Sequence, residues 1–158
     1  MLSQDMLQAI AEAKRIDRKA IRAPGALNEA IEYGSAFSRG LRLEFGALSV
    51  LLISGTASID DHGKTVHVGD FRAQLRRTFR NISDLLAAEG ASWKDIVKTT
   101  CYLRDIDRDY QAFNEERTAF YKEQGLDPYP ASVGIQAILC RPDLLVEIEA
   151  IAVFRTEK

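Results

Sequence analysis

Residues 145–154 constrain this chain more than any other stretch. Two sets of side chains alternate along them. Val146, Ile148, Ala150, Ala152 and Phe154 form one set; Leu145, Glu147, Glu149, Ile151 and Val153 form the other. In a strand, alternate residues point to opposite faces. The first set is wholly apolar and predicts a face covered by other elements. The second places two carboxylates in an otherwise apolar row. Leaving Leu145, Ile151 and Val153 in water costs about 1.5–3 kcal/mol for each large side chain, and self-association is the direct way to bury them. A carboxylate caught in such a contact is desolvated and its pKa rises, which suits a general acid or base. The competing reading is a solvated outer face with two ordinary glutamates.

The rest of the chain supplies strands to pair with this one and helices to cover it. Residues 36–44, 47–54, 96–104 and 132–139 read as strands, and 65–68 as a short return strand after the turn Asp60-Asp61-His62-Gly63. Leu75, Phe79, Ile82 and Leu86 recur at helical spacing, and Gly90 ends that helix. Asp107 is the expected cap of a second helix carrying Tyr110, Phe113 and Phe120, stopped by Gly125. Residues 3–19 predict an additional amphipathic helix, with basic Lys14, Arg15, Arg18 and Lys19 following apolar Leu2, Met6 and Ile10. These elements predict an α/β fold: a six-stranded mixed sheet with two helices packed on one face. The division is an N-terminal helical extension over 1–30 and one domain over 31–158. In the strand 132–139, Ser132, Gly134, Gln136, Ile138 and Cys140 share a face, and Ser132 and Gln136 are expected beside Glu147 and Glu149.

Composition removes several function classes. Of 158 residues, 46% are hydrophobic and 28% charged, which excludes disorder as the main state. The net charge is −2, so no global positive field draws a phosphate backbone, and no nucleic-acid partner is expected. Runs 47–53 and 148–154 fall far short of the ~20 apolar residues of a membrane span. Asp5, Glu12 and Asp17 interrupt any targeting-type helix. Two cysteines, Cys101 and Cys140, form neither a disulfide framework nor a CxxC pair, which fits a reducing cytoplasm.

Other chemical candidates carry less. His62 and His67 lack acidic partners at ligand spacing and read as surface residues. Cys101 and Cys140 are small hydrophobes or, for Cys140 with more weight, a reactive group. Arg72, Arg76, Arg77 and Arg80 read as a solvated helix face. No phosphate-cradling glycine loop, nucleophile elbow or zinc-binding helix is present, and no metal or cofactor is expected.

Three segments together resemble the Rid (YjgF) family: Ile53-Ser54-Gly55-Thr56-Ala57, the stretch 91–100 ending in DIVKTT, and the run 146–153, VEIEAIAV. The likeness covers about residues 36–155. It implies a chorismate-mutase-like fold and a homotrimer with three clefts between subunits. It also implies hydrolysis of enamine or imine metabolites to 2-keto acids and ammonia, with an arginine pairing the substrate carboxylate and a glutamate holding the attacking water. Carried over by position, the glutamate is Glu147, the turn serine Ser54, the aromatic Phe37 and the helix asparagine Asn114. The arginine position, after Pro130-Ala131, holds Ser132, and Gly134 follows on the same face. A serine cannot make the bidentate clamp of a guanidinium. The expected activity therefore departs from standard 2-imino-acid deamination unless another cation substitutes, with Arg39, Arg42 and Arg141 as candidates.

A narrower resemblance runs through ISGTAS (53–58), HVGDFRAQ (67–74) and LCRPDLLVEIEA (139–150) to the C-terminal, Rid-like half of chorismatases. Those enzymes cleave an enolpyruvyl ether with water, and their glutamate and cysteine match Glu147 and Cys140. The combined expectation is a hydrolase or deaminase of a small carboxylate metabolite, either an imine or enamine or a chorismate-like ring acid, with water activated by Glu147. Phe37, Ser54, Asn114, Ser132, Gly134, Cys140 and Arg141 would shape its site. The alternative is a trimeric metabolite-binding or regulatory protein without catalysis. The ribonuclease role attached to the family is disfavoured by the acidic charge balance and the lack of aromatic RNA-binding motifs.

Overall fold

Extended segments build one sheet, and the two segments of helical period cover one side of it. The structure is a computed structural model and describes Ser3, Gln4, Met6 and residues 16–156. Its strands are β1 (Asp17–Ala20), β2 (Gly40–Phe45), β3 (Leu48–Ala57), β4 (Ile96–Leu103), β5 (Ala131–Gln136) and β6 (Val146–Arg155). The helices are α1 (Phe71–Ala88) and α2 (Ile106–Glu123). The strand order is β1-β2-β3-β6-β4-β5. Neighbours run antiparallel except β4 and β5, which are parallel and joined through α2.

The expected architecture of two helices on a six-stranded mixed sheet is present, but one strand differs. Residues 65–68 do not form a strand. Thr65 makes an isolated bridge to Ile59, and His67 takes φ 60°, outside the extended region. The sixth strand is β1. Most of the helix expected over 3–19 lies outside the described residues, and its end, Asp17–Ala20, is instead extended against β2. Lys19 there pairs with Glu89 at 3.5 Å. Charges on an edge strand oppose further pairing with other chains.

Each helix is fixed at its start by an aspartate. Asp70 accepts a hydrogen bond from the Ala73 amide at the start of α1. Asp105, not the expected Asp107, caps α2 by accepting from the Arg108 amide, while Asp107 and Asp109 sit in the first turn, where the helix dipole favours them. Past α1, Gly90 is left-handed and the Ala91 amide reaches back to the Leu86 carbonyl.

The apolar face of α1 (Phe71, Leu75, Phe79, Ile82, Leu85, Leu86) is buried against the sheet. Phe79 stacks on Phe120 of α2 at 4.4 Å and meets Trp93 edge-on at 5.5 Å. Arg72 and Arg76 pair with Glu115 and Glu116 across the two helices, which neutralises part of that basic stretch. On β6, Val146, Ile148, Ala150 and Ala152 are buried beneath the helices. Glu147 and Glu149 occupy the opposite, open face, where Leu52, Val133 and Ile135 stay partly exposed.

Candidate functional site

A bulge opens the sheet next to Glu147. The pairing of β3 with β6 shifts register between Ile53 and Thr56, so Ser54 and Gly55 leave the regular ladder. Gly55 lacks the Cβ that would overlap the Glu147 carboxylate, and this vacancy lets the carboxylate lie over the bulge. Ser54 Oγ donates to the Ser38 carbonyl at 2.7 Å and the Ser54 amide to the Arg39 carbonyl at 3.1 Å, which ties the segment before β2 to the bulge.

That segment supplies one wall of a cleft of about 540 Å³ that contains Phe37, Ser54, Gly55, Cys140, Arg141 and Glu147. The Arg39 guanidinium lies 5.6 Å from the centre of the Phe37 ring and donates to the Asn28 carbonyl and side-chain oxygen at 2.8 and 3.0 Å. The opposite wall is the loop 139–144. Arg104 donates to the carbonyls of Leu139, Arg141 and Leu144. Buried Gln74 donates to the Asp143 carbonyl and accepts from the Leu145 amide, both at 2.8 Å. Arg141 donates to the Gly63 carbonyl. Sequence reasoning missed Arg104 and Gln74; their only signal was a polar residue within an apolar pattern.

Burial raises the Glu147 pKa, and the Glu149 carboxylate adds to the effect. Glu149 itself accepts from the Tyr102 hydroxyl at 3.0 Å. Glu147 thus holds its proton to higher pH than an ordinary glutamate and can exchange it with a bound molecule or water. Among the described residues, no group of three or more His, Cys, Asp or Glu side chains is placed to hold a metal ion. His62 and His67 are exposed, and Cys101 is buried with its pKa raised by desolvation, which leaves it a packing residue rather than a nucleophile.

Phe37, Ser54, Cys140, Arg141 and Glu147 thus come together. Within one chain, Asn114, Ser132 and Gly134 do not join them. Ser132 is directly opposite Thr99 in the parallel β4–β5 register and shares its helix-facing side, whereas Glu147 is opposite Tyr102 on the open face. The expectation that Ser132 and Gln136 share the face of Glu147 and Glu149 is therefore wrong. Ser132 Oγ accepts from Thr99 Oγ1 at 2.9 Å and from Arg117 Nη1 at 3.2 Å, and Arg117 Nη2 donates to Asn114 Oδ1 at 2.7 Å. The cation beside Ser132 is Arg117, not Arg39, Arg42 or Arg141. Arg42 is held at the other end of the sheet by Glu44 and Glu89.

Residues 28–154 match the family model described as Endoribonuclease L-PSP. The chain belongs to this family, the YjgF or Rid family. Among its Rid relatives is the 3-aminoacrylate deaminase RutC of Acinetobacter baylyi, 34% identical over 104 residues, which are 66% of this chain and 79% of RutC. The YjgF gene product from E. coli superimposes with a TM-score of 0.71 at 28% identity, over 87% of this chain and 99% of that one. E. coli TdcF, solved with bound serine, gives 0.70 at 26% identity, over 86% of this chain and 98% of TdcF. The Rid resemblance read from three sequence segments is thereby confirmed, and the Rid fold is the one described above. No helix among the described residues is long and apolar enough to cross a membrane.

Proposed function

We propose that this chain is a Rid-type hydrolase or deaminase that acts on a small carboxylate metabolite, with Glu147 as its acid–base group. The observation that carries this reading is the half-buried Glu147 carboxylate, its pKa raised by desolvation, over the Ser54–Gly55 bulge in a cleft. The relative RutC, named as a 3-aminoacrylate deaminase, supports an imine or enamine as the substrate class. In that chemistry ionised Glu147 takes a proton from water while the water oxygen bonds to the imine carbon. From a protonated imine this gives a neutral carbinolamine, which collapses: Glu147 returns the proton to nitrogen, the C–N bond breaks as the hydroxyl oxygen forms the C=O bond, and the hydroxyl proton passes to Glu147 as ammonia and the carbonyl product leave. A ring acid of the chorismate class is the other substrate consistent with the paired positions Cys140 and Glu147.

The chain functions in this reading as a cytoplasmic homotrimer whose subunit contacts cover the open sheet face. Exposed Leu52, Val133 and Ile135 support such a contact. A second reading, a trimeric metabolite-binding or regulatory protein without turnover, is favoured by one observation: Ser132 stands at the arginine position. Imines generated in situ and followed by ammonia release separate the two. Wild-type turnover that falls about 100-fold or more in Glu147→Gln, with oligomeric state unchanged, supports the enzyme. A full rate in that variant removes Glu147 from the mechanism, and a silent wild type favours the binding protein.

A further inference from the structure

Glu147 does not stand alone on the open face. Glu149 is two residues further along β6, on the same face and lining the same cleft, so the two positions are about 6–7 Å apart along the strand. Their surroundings differ. Glu147 is half-buried, while Glu149 is exposed. Of two neighbouring carboxylates in unequal surroundings, the desolvated one holds its proton to higher pH.

Tyr102 fixes the exposed member of the pair. It stands on β4 directly opposite Glu147, and its hydroxyl crosses diagonally to donate to Glu149 Oε2 at 3.0 Å. The tyrosine packs against the buried cluster of Ala57, Leu139 and Leu144, which anchors it. Desolvation, then the hydrogen bond to Glu149 and its charge, raises the Tyr102 pKa, so the phenol stays a donor across the neutral range.

The other charged groups around Glu147 have partners or stand further off. From the segment before β2, Arg39 donates to Asn28. From the loop 139–144, Arg141 donates to the Gly63 carbonyl, and the Cys140 thiol lines the cleft beside it. On β4, Lys98 is opposite Ile151, four residues along β6 from Glu147. Strand β3 has no titratable side chain, and both helices lie on the other side of the sheet.

We propose that Tyr102 and Glu149 are positioning residues for Glu147: Tyr102 pins the Glu149 carboxylate beside it, and the pinned negative charge sets the proton affinity of Glu147. This deepens the acid–base reading of Glu147 and rests on that reading only for its effect on rate. Without the charge, Glu147 ionises at lower pH. Without the phenol, the Glu149 side chain turns into water, and the same effect follows in smaller measure.

The test is a pH titration of the full-length protein read from the Glu147 carboxyl carbon resonance, beside the pH profile of kcat/KM for imines generated in situ. Glu149→Gln is expected to move the Glu147 midpoint down by about 0.5–1 pH unit, as loss of a like charge at this separation near a surface does. Tyr102→Phe is expected to move it the same way by about half as much. In both near-isosteric variants the acidic limb of the rate profile is expected to follow the carboxyl midpoint. An unchanged or raised midpoint in either variant would overturn the proposal, including the case in which the rate falls equally at every pH, which is the mark of a merely structural role. A lowered midpoint in both variants, with a wild type that turns over no imine, upholds the coupling and removes the acid–base role of Glu147 instead, so the two failures are distinguishable.

Discussion

Gly55 and Glu147 share one space. A Cβ added at Gly55 would overlap Glu147 Oε1 and lie 3.0 Å from its Cδ. The glycine is therefore part of the site, because it determines where the carboxylate rests. The overlapped atom is the far end of a flexible side chain, so Gly55→Ala is expected to move the carboxylate rather than disrupt the sheet. Thermal unfolding is expected to shift little, with stability changed by about 1 kcal/mol or less. Turnover of the substrate is expected to fall about 100-fold, as displacements of about 1 Å of reacting groups do. Wild-type turnover in Gly55→Ala would mean that the carboxylate's position does not matter.

Glu147 also links stability to pH. Its folded-state pKa is raised, so the folded chain binds this proton more tightly than the unfolded chain. The resulting stabilisation is fully present below the ordinary glutamate value and is lost as pH rises through the folded value. Glu147→Gln removes the ionisation. The variant's stability relative to wild type is expected to increase as pH climbs through that window, then level off. Urea unfolding at a series of pH values reads this directly, and a flat difference would show that the carboxylate is not desolvated.

Arg104 serves three carbonyls of the loop 139–144 that carries Cys140 and Arg141. Arg104→Ala leaves those acceptors to water or to nothing. A loss of about 2–4 kcal/mol in urea unfolding is expected, since bonds from a charged donor contribute about 1.5–3 kcal/mol each and water recovers part of it. Faster amide exchange confined to this loop is the accompanying sign. Unchanged exchange there would mean that Gln74 and Arg141 hold the loop without help.

The open sheet face gives a prediction about assembly. Val133 and Ile135 on β5 are 43% and 42% exposed, so a charge there costs the isolated chain little. Sedimentation is expected to give a mass three times that of the chain for wild type and a single-chain mass for Ile135→Glu, with the fold retained by circular dichroism. A monomeric wild type would refute the subunit contact proposed for this face.

The sequence alone determined what depends on neighbours along the chain. Periodicity revealed α1, α2 and β6, because the apolar face of each repeats at a spacing set by local geometry. It also showed that Glu147 lies opposite a wholly apolar row. The motif segments were enough to identify the family. Tertiary structure decided whatever depends on which segments pair. Alternation says which residues of a strand share a face but not which way that face points. Ser132 was therefore expected beside Glu147, and it lies instead with Thr99 on the helix side, because β5 pairs with β4 and not with β6. The charged residues 17–20 carry no strand pattern and became extended only because β2 offered a free edge. Arg117 was passed over for the same reason. On its own helix it is one more polar residue, and its place beside Ser132 exists only once α2 has been laid across the sheet.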